Sequence, residues 1–403
     1  MGENDAYDAD WDGLIERLEG LDCVRAVPGM YVGDVRDGSG LLFAVETLLY
    51  PALDEHLAGR CDRVDVTLCA DGSVEIRAET SGYVRGDYGE VFPGATQLAT
   101  LRGGSARSDR VRFGRFFVGV AVSNAVASRF SVTYPHGGRR WNVAFSRGRL
   151  VTVNSCVDPL ARESTVVRFT PDPTIFGSPW LTAESLLQRV RGIAYALPGL
   201  TMTFNAVHRP GPPTVLCFRD GVADLVRARV DAGAVLSAPF AFSACEPDGS
   251  SSLMRVEVAL QWSAEGSGFI VGITNGVQTN EGGAHVVGLQ DALAPTLAAY
   301  AAETGHAGSS AWITREVVTA RLDAVVSVWH RAPRYSAATR QRLISWELAP
   351  IIKGMVQRHL YAWLKAHPEE AQTLIKHLRD EAKEQEEIRL VEETLRLRER
   401  RAR

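Results

Sequence analysis

Residues 28–41 read PGMYVGDVRDGSGL, a turn-rich segment that leads into a long apolar run. In that run, residues 41–57, apolar side chains recur at helical spacing, which predicts one helix with Pro51 in its interior. A proline inside a helix costs about 3 kcal/mol unless the turn is distorted. Farther along, two alternating segments flank Asp71 and Gly72, which is a strong hairpin signal.

The rest of the first half predicts helices on one face of a mostly antiparallel sheet. Strand-like runs follow at 130–134, 140–145, 150–153 and 165–170, with helical runs at 118–127 and 183–196. Residues 82–115 hold many glycines and charges and little periodicity, which is typical of a lid or binding loop.

A Pro/Gly-rich stretch at residues 210–213 marks an expected boundary between two domains, 1–214 and 215–403. The second domain shows strand patterns at 255–262, 268–274 and 322–329 and helical patterns at 288–301, 340–366 and 369–403. The last of these is rich in Glu, Arg, Lys and Leu and is typical of a long solvated helix. The pattern predicts a two-domain α+β architecture.

The composition narrows the class of protein. The chain has 403 residues, 45% of them hydrophobic and 23% charged, as expected for two globular domains. A net charge of -4 gives no basic field, so we expect no direct nucleic-acid binding. Six cysteines without zinc spacing and an acidic N-terminus predict a cytoplasmic protein that is not held in a membrane.

Nine segments resemble, in order, the landmarks of one family. Those in the first half are PGMYVGDVRDGSGL (28–41), ALDEHLAG (52–59), DVTLCADGSVEIR (65–77), VGVAVSNAVAS (118–128) and STVVRF (164–169). Those in the second half are VEVALQW (256–262), TNGVQTNEGGAHVVGL (274–289), DAVVSVW (323–329) and YSAATRQRLISWEL (335–348). They resemble the ATPase region of the gyrase B and topoisomerase IV B proteins.

This resemblance implies a GHKL (Bergerat-type) ATPase sandwich followed by a ribosomal-S5-like transducer domain. It also implies a homodimer formed through an N-terminal arm, with Tyr7 and Ile15 as the arm's counterparts, and a gyrase-type subunit as partner. The family's metal-binding, DNA-cleaving TOPRIM domain would begin where this chain stops, so we expect no DNA cleavage by the chain alone.

Two positions that the family uses for hydrolysis carry unsuitable residues. The flanking segments align without a gap, so the family's general-base glutamate falls on Thr47 and its Mg²⁺-binding asparagine on Pro51. Threonine is no base at neutral pH, and the proline side chain has no ligating atom. Glu46 is adjacent, but one helical step turns a side chain by roughly 100°. We therefore interpret Glu46 as a solvated or paired carboxylate.

The family's phosphate lid, GGLHGVG, reads FGRFFVG here, at residues 113–119. Phe113, Phe116 and Phe117 replace two glycines and a histidine, whereas Gly119 is kept. Glycines let backbone N–H groups approach phosphate oxygens closely. The substitutions therefore predict a collapsed or apolar pocket.

Other residues leave ligand binding open. The resemblance places Glu79 at the adenine-binding aspartate, Thr165 at the pocket threonine, Asp54 in the acidic pair and Arg340 at the lysine that reaches the γ-phosphate. Tyr83 adds an aromatic side chain to the same predicted pocket, while the family's rim arginine aligns with Asn142. These residues predict no metal ligand, since the family's Mg²⁺ position is Pro51, and they leave binding of ATP and Mg²⁺ open without requiring it.

Three functions fit the sequence. The first is a degenerate gyrase-B-like module that does not hydrolyse ATP by the family mechanism. The second is a former nucleotide pocket that binds or transforms another small molecule, as a secondary-metabolism enzyme or an antibiotic-binding decoy. The third is the weak residual ATPase of a type II topoisomerase.

Overall fold

The computed structural model describes residues 20–80, 92–101, 119–158, 164–177, 181–229, 235–236, 238–245, 252–264, 268–305, 311–337 and 339–402. The helices are α1 (Asp22–Ala26), α2 (Gly29–Val32), α3 (Ser39–Thr47), α4 (Tyr50–Leu57), α5 (Ala95–Ala99), α6 (Val120–Ala125), α7 (Pro173–Phe176), α8 (Ala183–Ala196), α9 (Val222–Arg227), α10 (Ala284–Glu303), α11 (Arg315–Thr319), α12 (Leu348–Ala366) and α13 (Pro368–Ala402). The strands are β1 (Arg63–Leu68), β2 (Val74–Ala78), β3 (Ala127–His136), β4 (Arg139–Ser146), β5 (Arg149–Val157), β6 (Thr165–Pro171), β7 (Thr201–Ala206), β8 (Thr214–Leu216), β9 (Phe240–Ala244), β10 (Leu253–Trp262), β11 (Ile270–Thr274), β12 (Val277–Thr279) and β13 (Leu322–His330).

The chain divides into two compact units. The first contains the described residues up to Arg189 together with Thr203–Thr214. The second contains Val190–Met202 and the described residues from Val215 onward.

One sheet has the strand order β5-β4-β3-β6-β2-β1-β7-β8. The predicted hairpin is confirmed: β1 pairs antiparallel with β2, with Val64 opposite Ala78. At its turn Gly72 adopts a φ of 76°, which favours glycine, and Asp71 Oδ1 accepts the Ser73 N–H at 3.1 Å. Inward-facing strand residues such as Val64 are buried and alternate with more exposed ones, so one face of the sheet forms the core.

The other sheet has the order β12-β11-β13-β10-β9, with β11 parallel to β13. Every residue of β13 is buried. Side chains of α10 and α12 share a core cluster with alternate residues of β10 and β13, and α9 packs with residues of the other face. A strand covered on both faces reads as a nearly continuous apolar run, and residues 322–329 do so apart from Asp323 and Ser327.

The predicted helix at residues 41–57 is wrong in one respect, because the chain forms two helices there. Helix α3 ends at Thr47, and Pro51 lies in the first turn of α4. Proline lacks an N–H, and the first N–H groups of a helix have no intrahelical acceptor. The break therefore removes the strain that an interior proline would cause.

The helix predicted from residue 340 begins at Leu348 instead. Arg340 has a φ of 57°, which lies outside the right-handed helical region. Leu343 then forms backbone bridges to Gly283 and Tyr335, so its backbone groups are used outside a helix. A Cβ on Gly283 would lie 2.2 Å from the Leu343 carbonyl oxygen, so only glycine fits this contact.

The helices predicted at 183–196 and 369–403 are confirmed as α8 and α13, and both sheets agree with the predicted α+β class. The expected solvation of the last helix is wrong for its first half, where Ala371, Leu374 and Leu378 are buried in the same core cluster as side chains of α10 and α12. Within the described ranges, no helix combines the length and apolarity needed to cross a membrane.

Candidate functional site

The residue at the predicted general-base position, Thr47, is the last residue of α3 and is 1% exposed. Its hydroxyl donates to the Ala44 carbonyl at 2.9 Å and lies 2.6 Å from the hydroxyl of Ser123 on α6. Ser123 also donates to the Ala44 carbonyl, at 2.8 Å. The hydroxyl is thus enclosed by neighbouring helices, and the position offers no carboxylate that could accept a proton from water.

The start of this segment is set by a close backbone approach. Gly40, near the start of α3, donates its N–H to the Asp34 carbonyl at 2.8 Å. A Cβ at this position would lie 2.5 Å from that oxygen, so a larger residue would push the two segments apart. The glycine in the GSGL segment therefore positions the helix that carries Thr47.

Glu46 is a paired carboxylate rather than a solvated one. It is 1% exposed, its Oε2 lies 2.9 Å from Arg189 Nη1, and its Oε1 accepts the Tyr50 hydroxyl at 3.1 Å. Turning this carboxylate toward a substrate would break an ion pair between α3 and α8 that is shielded from water. Breaking such a pair is costly, since one charge stays buried without its partner.

In the predicted acidic pair, Asp54 and Glu55, the carboxylate of Glu55 holds the local structure together. Glu55 is buried, and its carboxylate accepts two hydrogen bonds from Arg60, at 2.6 and 2.8 Å. This bidentate geometry is the strong form of an arginine–carboxylate contact. Asp54, the predicted ligand contact, is half-buried on α4, and its backbone carbonyl accepts the Ala58 N–H at 3.2 Å.

The structure does not bring Glu79 and Thr165 together. Thr165 is fully buried on β6, lies opposite Ala78 of β2, and donates its hydroxyl to the Thr80 carbonyl at 3.0 Å. Strand alternation directs the next residue, Glu79, to the other face, where its side chain is 55% exposed and 3.9 Å from Arg63. The residue that faces Thr165 is an alanine.

The α6 segment carries the predicted Gly119 and a buried asparagine. Gly119 precedes the helix with an extended backbone, and a Cβ there would meet no atom within 4 Å. Asn124 is buried and donates its amide to the Leu98 carbonyl at 2.8 Å, which ties α6 to α5. Asn142, at the expected rim position, is exposed on β4.

Four predicted pocket residues lie outside the described ranges: Tyr83, Phe113, Phe116 and Phe117. Their assignment to a ligand pocket stays a prediction. The same holds for the arm residues Tyr7 and Ile15.

Arg340 belongs to the second unit and is 3% exposed there. Its guanidinium lies 5.9 Å from the centroid of the Tyr335 ring, within the range of a cation–π contact. Burial raises the pKa of the Tyr335 hydroxyl to about 12, so that side chain is neutral beside the cation.

The side chain at the position expected to bind Mg²⁺ supplies no ligand atom for this ion. Pro51 has no side-chain oxygen, whereas Mg²⁺ requires oxygen ligands in octahedral geometry. Across the part of the chain that the structure describes, no group of three or more His, Cys, Asp or Glu residues is arranged to hold a metal ion.

Two residues that shape this site were not predicted, namely Ser123 and Arg189. Ser123 meets Thr47 across 76 residues of sequence, and no local periodicity links residues so far apart. Arg189 is one of several polar residues on α8, so its pairing with Glu46 could not be distinguished from a solvated position. Only the packing of helices on the sheet reveals these contacts.

Comparison with known proteins agrees with this architecture. Residues 221–394 match the family model described as DNA gyrase B. The chain is 30% identical to the DNA gyrase B-subunit of Caulobacter vibrioides over 408 residues, covering 95% of this chain and 49% of that protein. It is also 30% identical to the DNA topoisomerase 4 B-subunit of the same species, covering 92% of this chain and 55% of that protein. The chain thus spans about half the length of the curated relatives it matches.

Among solved structures, the B-subunit of the DNA gyrase from Myxococcus xanthus is similar. It superimposes with a TM-score of 0.69 at 28% identity, covering 88% of this chain and 99% of that chain. The similarity therefore extends through both compact units.

Proposed function

Because this chain is a relative of the ATPase region of the gyrase B and topoisomerase IV B proteins, we propose that it is a gyrase-B-like module that does not hydrolyse ATP by the family mechanism. The proposal concerns the first unit, where the resemblance places the base and the metal ligand.

The observation that carries the proposal is the environment of Thr47. A general base must hold a proton acceptor near neutral pKa within reach of the attacking water. The Thr47 hydroxyl is instead a buried donor, held between the Ala44 carbonyl and the Ser123 hydroxyl. The adjacent carboxylate of Glu46 is engaged by Arg189 and Tyr50 and so gives no replacement.

Pro51 supports the same conclusion, because it removes a ligand for the metal ion. The resemblance implies an asparagine here that binds Mg²⁺, and a proline side chain supplies no oxygen. Phosphoryl transfer depends on positioning and on neutralising the charge of the phosphate oxygens. A site without this ligand lacks one of the groups that perform that task.

We further propose that the chain acts in the cytoplasm as a homodimer and that a gyrase-type subunit is its partner. We also propose that the boundary between its two domains lies at 214/215. In this arrangement the former nucleotide pocket holds a small-molecule ligand, and Thr165, whose hydroxyl proton is donated to the Thr80 carbonyl, would serve that ligand as a hydrogen-bond acceptor.

The test is a steady-state ATPase assay on the purified full chain with and without Mg²⁺, beside the ATPase region of a related gyrase B. We expect no Mg²⁺-dependent hydrolysis above the background of the assay, and no change with S123A, a variant that alters the Thr47 environment without adding a base. Hydrolysis at a rate comparable to that of the relative overturns the proposal. A binding titration with a non-hydrolysable ATP analogue then separates a pocket that still holds nucleotide from one that has lost it.

A further inference from the structure

The C-terminal half of α13 extends beyond the core of the second unit. The side chain of Arg321, just before β13, lies 2.6 Å from a carboxylate oxygen of Glu381 and 2.9 Å from one of Glu384. Beyond these ion pairs, every side chain at residues 386–396 is exposed. The helix continues to Ala402, so residues 386–402 form roughly 25 Å of helix past the Arg321 contacts.

The apolar side of α13 changes at this point. In the first half, the side chains buried in the core recur at helical spacing and include Ala371, Leu374 and Leu378. The same spacing, continued, reaches residues 385, 389, 392 and 396, which are Gln, Arg, Glu and Arg. Three apolar residues follow another stripe instead, rotated by roughly 100° about the helix axis. They are Ile388, Val391 and Leu395, which are 54%, 60% and 53% exposed. The stripe does not continue the surface that packs on the core, so burying it requires another molecule.

The charge changes sign along the same stretch of helix. Residues 384–393 contain five glutamates and one arginine, whereas residues 396–403 contain five arginines and one glutamate. Parallel pairing of two such helices would place like charges side by side, whereas antiparallel pairing places each acidic segment beside a basic one. This part of α13 is therefore complementary in charge to a second copy of itself in the antiparallel orientation.

We propose that residues 386–402 of α13 pair antiparallel with the same segment of a second copy of this chain, through Ile388, Val391 and Leu395. The pairing rests on the proposed homodimer, since it joins the same two copies that the proposed N-terminal arms hold. Two helical segments of this length bury less surface than a stable interface needs, so they supplement the arms rather than replace them.

The apolar and charged residues select one register for this pair. When Val391 of each copy faces Leu395 of the other, the apolar stripes cover each other as in a coiled coil. This register places residues 384–390 alongside residues 396–402 of the second copy, so the acidic and basic segments meet. A register in which Ile388 faces Val391 would place Leu395 opposite Glu384 and would bring the two acidic segments together.

Disulfide trapping between two differently tagged, co-expressed copies tests the register. In a background where the exposed cysteines Cys156, Cys217 and Cys245 are changed to serine, V391C on one copy and L395C on the other should cross-link under mild oxidation. Packed helices have their axes about 8–10 Å apart, which brings facing side chains close to the range that a disulfide requires. V391C on both copies should not cross-link, because antiparallel pairing offsets the two cysteines by four residues, roughly 6 Å along the axis.

The matched control is R389C on one copy with E393C on the other. Arg389 and Glu393 have the same spacing of four residues and are also exposed, but they lie on the side of the helix away from the apolar stripe. In the proposed pair they would be roughly 13 Å apart and should not cross-link.

Charge reversal tests what orients the pair. E387K places a cation beside the apolar stripe, next to the basic segment of the second copy, and should slow cross-linking between V391C and L395C by about fivefold. E393K makes the same change of charge on the other side of the helix and should leave that rate unchanged.

Sedimentation velocity on the same full chain separates this pairing from the homodimer on which it rests. A dimer in which V391C and L395C cross-link no faster than R389C and E393C overturns the helix pairing and leaves the arm-held homodimer standing. A monomer without cross-linking overturns both. Cross-linking of V391C with itself in preference to L395C overturns the antiparallel orientation.

Discussion

The hydroxyl oxygens of Thr47 and Ser123 lie 2.6 Å apart, so one hydroxyl donates to the other, and each oxygen also lies within hydrogen-bonding distance of the carbonyl oxygen of Ala44. That carbonyl lies in the last turn of α3, where the helix ends: the next backbone donor, the Leu48 N–H, bonds to Val45 at 3.1 Å instead. The two side chains therefore satisfy a buried acceptor that the helix leaves open. At the position where the resemblance places the family's base, this chain has a helix cap.

This relationship predicts a specific non-additivity. Either T47V or S123A should lower the free energy of unfolding by less than about 1 kcal/mol, because the other hydroxyl still donates to Ala44. The double variant should lower it by about 1–3 kcal/mol, more than the sum of the single effects, because the carbonyl is then buried without a side-chain donor. Urea unfolding of the four proteins measures the coupling, and strictly additive effects would contradict the cap.

The position of Pro51 predicts whether replacing this proline raises or lowers the free energy of unfolding. In an unbroken helix, P51A would stabilise the chain by about 3 kcal/mol, since it would remove an interior proline. In the first turn of α4 the proline causes little strain and restricts the unfolded chain, so P51A should lower stability by about 0.4–1 kcal/mol. The control is Q188P, which places a proline at an exposed position inside α8 and should cost about 3 kcal/mol. If P51A instead stabilises the chain, the break between α3 and α4 does not relieve the strain that the proline causes.

Local signals explain which parts of the fold the sequence predicted. The hairpin at Asp71 and Gly72 and the helix at 183–196 depend on neighbouring residues, and the structure confirms both. The start of α12 was misplaced because residues 340–347 carry a helical pattern, whereas backbone bridges from Gly283 and Tyr335 to Leu343 hold them in another conformation. Such long-range pairings override local propensity.

The sequence likewise predicted only part of the candidate site. The family resemblance identified Thr47 and Pro51 as unsuited to hydrolysis, but it could not show what those positions do instead. The carboxylate of Glu79 was predicted to bind a ligand, yet strand alternation places it on the face opposite the buried Thr165. The facing of a residue at the end of a strand depends on register, which a sequence alignment does not show.

Asp172 predicts the acid sensitivity of the first unit. Its side chain is fully buried, 2.6 Å from Arg25 and 3.2 Å from Arg147, and it accepts the Thr174 N–H. Burial acts to raise the pKa of this carboxyl, but the hydrogen bonds from Arg25 and Thr174 outweigh burial and hold the pKa below its usual value.

A lowered carboxyl pKa contributes stability that is complete above the unfolded value, about 3.9, and is lost as pH falls through the folded value. D172N should therefore lower the free energy of unfolding at pH 7 by about 3 kcal/mol and flatten its decline below pH 4. D71N, at the exposed hairpin turn, should have a much smaller effect. An unchanged acid profile in D172N would show that other carboxylates control acid unfolding.

His285 lies in the second unit, and its environment keeps the imidazole neutral. Its side chain is fully buried at the start of α10, its Nε2 lies 3.1 Å from the Thr279 hydroxyl, and burial lowers its pKa to about 3. Gly272 makes room for the ring, since a Cβ there would lie 2.3 Å from Nε2. The structure therefore holds a histidine that does not take up a proton in the range where an exposed one would.

This burial predicts a second pH dependence, in a different range from that of Asp172. In the unfolded chain the imidazole titrates near 6.5, so the unfolded state binds a proton between the two pKa values and the folded state does not. Stability from this group is therefore present above pH 6.5 and is lost as pH falls, by about 2 kcal/mol between pH 7 and pH 5. Urea unfolding followed by tryptophan fluorescence at pH 7, 6 and 5 measures this loss, and H285Q, which cannot titrate, should lack that part of it. Because the two proteins differ only at this residue, the difference between the two curves isolates His285. Parallel curves would contradict a buried neutral imidazole at this position.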